Sequence, residues 1–219
     1  MSCAQCQGIA QEFDERRARR EIRRYRKKGP ARTTRMLLEA ISSQGIEGRS
    51  FLDVGGGIGA IQHELMDAGA TGGTHVDGSP AYLSVAREEG TRRGHGDFVQ
   101  HWGGDFVDLV SLVESADVVT LDRVICCYPD MPALVGASAS KARAVYGLVF
   151  PREHLANRLI FGLINLVQTL RQRPFKVYLH PTDGVESRVR SLGFRKRLHR
   201  ESFLWQVHLY LKNDNPPPA

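Results

Sequence analysis

The apolar positions of this chain change their spacing near residue 50. Before that point they recur at helical intervals. Residues 11–28 set Phe13, Ala18, Ile22 and Tyr25 on one narrow stripe among arginines, and Gly29-Pro30 stops that helix. Thr33 is placed to cap a second helix, with Met36, Leu37, Leu38 and Ile41 facing the core and Gly45 ending it. After residue 50, short β-rich runs alternate with helical stretches. Strands are predicted at 51–54, 74–77, 98–101, 117–121 and 144–150, with helices between them at 60–68, 81–93, 107–113 and 133–142. This order predicts a parallel sheet with helices on both faces. A long apolar helix follows at 154–171, then an extended piece at 175–180 and a helix at 185–192. The last two β-rich runs, 194–199 and 203–211, are only three residues apart. That gap suits a hairpin and is too short for a parallel crossover.

The expected fold class is therefore α/β: a Rossmann-like, seven-stranded, mostly parallel sheet closed by an antiparallel hairpin strand, with an N-terminal helical extension. The expected organisation is an extension over 1–45, a main domain over 46–212 with an apolar helical insertion at 152–173, and a disordered tail at 213–219.

Composition narrows the class without naming it. Apolar residues make up 42% and charged residues 25%, which excludes a wholly disordered or collagen-like chain. The net charge of +6 is concentrated: residues 12–35 carry eleven basic and four acidic side chains, and the remainder is close to neutral. Such a block suits nucleic acid, an anionic membrane or a solvated helix face. No apolar run of secretory type opens the chain, and the stretch 155–170 is broken by Asn157, Arg158, Asn165 and Gln168, too polar to span a bilayer. Four cysteines make no disulfide scaffold, so a reducing cytoplasm is the expected compartment. Cys3 and Cys6 form one Cys-x-x-Cys, but the only other cysteines, Cys126 and Cys127, are adjacent, so no metal site is expected.

The strongest local signal is Leu52-Asp53-Val54-Gly55-Gly56-Gly57-Ile58-Gly59, directly after a strand and opening a helix. Glycines there permit a tight turn and close backbone approach to a ligand. Gly55, Gly57 and Ala60 fit a dinucleotide fingerprint, with Asp77 at the end of the next strand to bind a ribose. Asp53, Gly55, Gly57 and Gly59 equally fit acid-x-Gly-x-Gly-x-Gly. On that motif the chain resembles, from about residue 50 to 211, the class I S-adenosylmethionine (SAM)-dependent methyltransferases. An acid beside the loop suits the cationic methionine part of SAM and would repel a pyrophosphate.

The resemblance implies SAM as cofactor and extends to two further segments. Val76-Asp77-Gly78-Ser79-Pro80 looks like the second strand, ribose acid and helix start, and Gly104-Asp105-Phe106 looks like the adenine pair. Asp105 would accept from the adenine amino group and Phe106 would pack on its ring. Taken alone, Asp77 and Asp105 could equally be helix caps.

The methyl group would lie beyond the fourth strand, at Leu121-Asp122-Arg123-Val124-Ile125-Cys126-Cys127-Tyr128-Pro129. No Asn/Asp-Pro-Pro-aromatic run occurs there, and neither cysteine follows a proline, so two nucleobase chemistries are not indicated. The segment Asp122–Pro129 is similar to the magnesium-protoporphyrin O-methyltransferase branch, with Cys127 where that branch has His. A small, fairly apolar acceptor methylated on oxygen is the expected substrate. Tyr128, Asp122 and His180 are the candidate catalytic groups, with Asp122 also able to line the cofactor and His154 a further polar candidate. The helix at 154–171 is expected to wall or lid the acceptor, to pack into the core, or to touch a membrane. The basic helix is expected across the cofactor mouth, with Tyr25, Lys27 or Lys28 approaching the SAM carboxylate. RNA as substrate, or SAM binding without catalysis, are the alternatives.

Overall fold

The computed structural model describes residues 4–213. Cys3, the Cys6 side chain and residues 214–219 lie outside the described part, and with them the Cys-x-x-Cys pair and most of the expected tail. Three helices come first: α1 (Ala4–Glu12), α2 (Glu15–Lys28) and α3 (Arg32–Ser42). The chain then alternates β1 (Ser50–Val54), α4 (Ala60–Asp67), β2 (Gly72–Asp77), α5 (Pro80–Arg93), β3 (Val99–Gly103), α6 (Phe106–Leu109), β4 (Ala116–Asp122), α7 (Met131–Ser140) and β5 (Ala142–Pro151). It ends with α8 (Leu155–Leu170), α9 (Thr182–Ser191), β6 (Phe194–Glu201) and β7 (Trp205–Lys212).

The described residues form a seven-stranded sheet in the order β3-β2-β1-β4-β5-β7-β6. Pairs from β3 through β5 are parallel, and β7 runs antiparallel to both β5 and β6. Both faces of the central strands are buried, so side chains alternate between two cores. Leu52, Val54, Val119, Leu121, Tyr146 and Leu148 pack with Leu134 and Val135 of α7 and Val185 and Val189 of α9. Phe51, Val118, Val145 and Val149 pack with Leu37 and Ile41 of α3 and Ile61 and Leu65 of α4. The order reverses between β1 and β4, which opens a crevice at their carboxyl ends.

Three local expectations are corrected. The single helix over 11–28 is two helices, broken at Phe13-Asp14 because the Asp14 carboxylate caps α2 by accepting from the Arg17 N–H at 2.8 Å. Thr33 does not cap α3, which starts at Arg32 on Ala31. The short helix after β3 stops at Leu109. The extended piece at 175–180 stays outside the sheet: the Val177 N–H goes to the Asn165 side chain and the Tyr178 N–H to the Cys126 carbonyl, so no ladder partner is needed.

Candidate active site

The glycine loop turns directly off β1. Gly55 and Gly57 have φ of 64° and 59°, backbone that side chains other than glycine rarely adopt. The Gly55 and Gly56 N–H groups both donate to the Val76 carbonyl, at 2.7 and 3.2 Å, which folds the loop back onto β2. A Cβ on Gly55 would lie 2.5 Å from a methyl of Val124, so the loop and the exit of β4 are in closest contact there.

Asp77 ends β2 beneath this loop. Its Oδ2 accepts from the Gly57 N–H at 2.9 Å and its Oδ1 from the Ser79 N–H at 2.7 Å. Burial raises its pKa to about 6 against those two N–H groups, which lower it. It is therefore mostly ionised at neutral pH. Ser79 caps α5, accepting from the Tyr82 N–H at 3.3 Å and donating to the Phe13 carbonyl at 2.6 Å.

Asp105 caps α6, accepting from the Val107 N–H at 2.9 Å. The Tyr128 hydroxyl donates to its two oxygens at 3.1 and 3.0 Å. Phe106 is buried behind it. Gly55, Asp77, Gly78, Asp105, Phe106 and Tyr128 line one crevice of about 690 Å³ including its mouth. Val54, Val76, Val124, Pro129 and Leu134 make most of its remaining wall apolar, and Ile9 of α1 closes it over Gly78.

The other nominated residues stand behind this surface. Asp53 is fully buried below the loop, where its Oδ1 accepts from Thr120 at 2.7 Å and its Oδ2 has no partner. Burial, with the Asp122 and Asp77 charges, raises its carboxyl to about 8. It stands in a layer of buried polar groups: His63 and His75 are fully buried and their ring nitrogens unpartnered. Burial drives both imidazoles down, His63 to about 3. Gly59 is the N-cap of α4. Asp122 accepts from Thr34 and, at 3.0 Å, from Arg123, whose φ of 63° turns the chain out of β4. His180 donates to the Tyr128 carbonyl at 2.9 Å and so fixes the 175–180 segment to the crevice wall. His154 donates to the Phe203 carbonyl at 2.8 Å instead.

Two placements differ from expectation. Tyr25 is buried and donates to Glu64 at 2.7 Å, so α2 packs on α4 and α5, and the crevice is roofed by α1. Helix α8 does not turn its apolar face to the crevice: its buried residues are Asn157 and Gln168, and its leucines point outward. Among the crevice residues, Ile9 carried no sequence signal, because α1 has no marked apolar face.

Known proteins give the fold its class. Residues 52–140 match the family model described as a methyltransferase domain. Among solved structures, magnesium protoporphyrin IX methyltransferase from Synechocystis PCC 6803 with bound SAH is similar at a TM-score of 0.67 and 18% identity, over 82% of each chain. An O-methyltransferase family protein from Burkholderia thailandensis gives 0.66 and 17%, over 95% of this chain and 64% of that one. An O-methyltransferase family 2 protein from Planctomyces limnophilus DSM 3776, in complex with apigenin, gives 0.59 and 17%, over 84% and 63%. No curated protein matches the chain in sequence. The architecture is that of the class I SAM-dependent methyltransferases. Within that fold, the match to the methyltransferase-domain model covers residues 52–140 of this chain.

Proposed function

We propose that this protein transfers a methyl group from SAM to an oxygen of a small, fairly apolar acceptor. The observation that carries the reading is the crevice itself: an apolar cleft at the sheet's switch point, with an ionised Asp77 below a glycine loop and Asp105 at its wall. The residues suit the cofactor. Asp77 keeps lone pairs for a ribose diol, Asp105 keeps one for a nucleobase amino group, and Phe106, Val124 and Leu134 supply apolar contact. The bound cofactor supplies an already activated methyl on a sulfonium.

The chain's own contribution is then placement and exclusion of water, and holding an acceptor in line at about 3–3.5 Å supplies much of the rate. Tyr128 orients Asp105, and His180 positions the Tyr128 backbone. With those groups so engaged, no side-chain base is assigned, which suits an acceptor oxygen that is ionised at neutral pH, such as a carboxylate. Asp122 braces Arg123 at the turn beside the crevice and is assigned no proton transfer. The apolar wall and the O-methyltransferase neighbours support an apolar acceptor and oxygen as the acceptor atom.

Label transfer tests this. The protein and methyl-tritiated SAM are incubated with a cell extract, with Asp77→Ala as background. Label in the organic-soluble small molecules is the expected outcome. Label in RNA would replace the substrate class and give the basic α2 surface a role. Absence of label, followed by absence of SAM binding in a direct titration, would overturn the methyl-transfer reading.

A further inference from the structure

Helix α8 is built inside out. Leu155, Leu159, Leu163, Leu166 and Leu170 recur at intervals of three and four and form one stripe. The stripe faces solvent: Leu155 is 69%, Leu163 63% and Leu170 75% exposed. The side turned to the protein buries amides, beside the half-buried Phe161 and Ile164. Asn157 donates to the carbonyls of Arg152 and Leu204, at 2.7 and 2.8 Å. Asn165 donates to the Val177 carbonyl and accepts from its N–H, and Gln168 donates to Glu12 at 3.0 Å. Turning the leucines inward would break these bonds and strand buried amides, so the roll of the helix is fixed. Phe203, 75% exposed, stands at the start of the helix, its ring 5.9 Å from that of His154. The 16 residues of α8 make a ridge about 24 Å long.

An exposed apolar ridge of this length is a docking surface. Its borders are basic. Arg152 and Arg158 stand at its start, and Arg171 and Arg173 beyond its end, against Glu153 alone over residues 152–173. Several of these also make ion pairs inside the chain: Arg152 with Glu201, Arg158 with Glu153 and Arg173 with Glu12. Glu12 also joins the end of α8 to the start of α2 through Gln168 and Arg17. Helix α2 exposes Arg16, Arg20, Arg23, Arg24, Lys27 and Lys28. The charge argues against a second copy of the chain on this face. Antiparallel pairing of α8 sets Arg171 and Arg173 against the Arg152 end, and parallel pairing sets each arginine beside its own copy.

We propose that this face docks on an anionic lipid surface, with the leucine ridge in the headgroup–acyl boundary and the bordering arginines on lipid phosphates. Among the described residues no helix is long and apolar enough to cross a membrane; the proposed contact lies in the interface plane. The docked helix is tied by Asn165 to Val177, and the segment it holds reaches the crevice wall at Cys126 and Tyr128. Docking would thereby bring the crevice close to the phase in which an apolar acceptor accumulates. That consequence rests on the methyl-transfer reading, whereas the docking does not.

Flotation of the full chain with vesicles, without SAM or acceptor, reads the docking alone. The protein is expected to float with phosphatidylcholine vesicles containing phosphatidylglycerol and far less with phosphatidylcholine alone. The triple variant Leu159→Gln, Leu163→Gln, Leu166→Gln is expected to bind on the order of a hundredfold more weakly, with an unchanged circular-dichroism melt. The pair Arg158→Gln, Arg171→Gln is expected to weaken binding and reduce its sensitivity to salt. No flotation with anionic vesicles would overturn the proposal, as would a leucine variant that floats like the parent. A dimer in light scattering that the leucine variant dissociates, without flotation, would assign the face to a second copy.

Discussion

The phenol of Tyr128 and the carboxylate of Asp105, 23 residues apart in sequence, are hydrogen-bonded across the crevice at 3.0–3.1 Å. The pair makes Tyr128 a positioning group for the nucleobase acid. Tyr128→Phe keeps the ring and removes the donor. It is expected to raise the KM for SAM by about tenfold to a hundredfold, since one hydrogen bond to a charged group contributes about 1.5–3 kcal/mol, while leaving kcat within about threefold. A fall in kcat with an unchanged KM for SAM would instead put the phenol at the acceptor. Steady-state kinetics with the labelled cofactor decide between the two.

Asp77 holds the loop as well as facing the crevice, so its replacements should separate those roles. Asp77→Asn can still accept from one of the Gly57 and Ser79 N–H groups, whereas Asp77→Ala keeps neither bond. Calorimetric titration is expected to show a loss in SAM affinity of about tenfold to a hundredfold for Asn and more for Ala. Equal affinity in all three proteins would remove Asp77 from the cofactor site.

Gly55→Ala meets two obstacles, a φ of 64° and a contact of 2.5 Å with Val124. A destabilisation of about 2 kcal/mol or more is expected in urea unfolding. Adding Val124→Ala should relieve the collision and leave the backbone strain, so recovery is expected to be partial. Full recovery would show that the strain contributes nothing.

Stability should depend on pH from both sides. The ordinary histidine value is 6.5, and burial lowers His63 and His208 to about 3 and His75 well below normal. Below pH 6.5 the unfolded chain takes up protons that these folded imidazoles refuse, so stability falls toward pH 3. Each such proton amounts to about 1.4 kcal/mol per pH unit. Asp53 acts oppositely. Its folded value is raised from 3.8 to about 8, so its contribution is complete below pH 3.8 and is lost as pH rises toward 8. Thermal melts from pH 5 to 9 are expected to show Asp53→Asn flattening the decline up to pH 8 and steepening the acid limb below pH 6.5, where the Asp53 contribution opposes that of the histidines. An unchanged alkaline limb would mean that Asp53 is ionised in the folded chain.

Glu89 anchors the N-terminal extension. Its side chain has no exposed surface and meets Arg26 of α2 as well as Arg92 and Arg93 of its own helix. Burial raises its carboxyl, but the three guanidinium groups outweigh that and hold it at about 2. Glu89→Ala is expected to cost about 2 kcal/mol, less than a fully buried pair would, because the arginines are partly hydrated. Limited proteolysis near Phe13-Asp14 should also become faster. An unchanged cleavage rate would mean that α2 is held by Ala18, Ile22 and Tyr25 alone.

The central sheet was legible because its central strands are buried on both faces and read as short apolar runs, with a glycine directly after β1, β2 and β3. The loop at 55–59 was legible for the same local reason. Helix α8 shows where periodicity stops informing. Its leucines mark a face, but which face meets the protein is decided by Asn157, Asn165 and Gln168, through bonds to residues 12, 152, 177 and 204. The site divides in the same way. Asp77 and Asp105 announce themselves at strand ends, whereas the Tyr128 contact depends on how two loops meet. Asp53 has a motif position that suggests contact with a cofactor, yet its side chain is directed under the loop toward Thr120.

Helix α1 has a kinetic consequence. Ile9 covers the crevice at Gly78, and Gly8 sits so close to the Phe175 backbone that a Cβ there would lie 2.5 Å from its nitrogen. Phe13, at the far end, is wedged edge-on between Tyr82 and Phe175. For a nucleoside-sized molecule held beside Ile9, the dwell time, and with it the ceiling on turnover, would be sensitive to the two aromatic contacts and the one glycine that hold α1 in place.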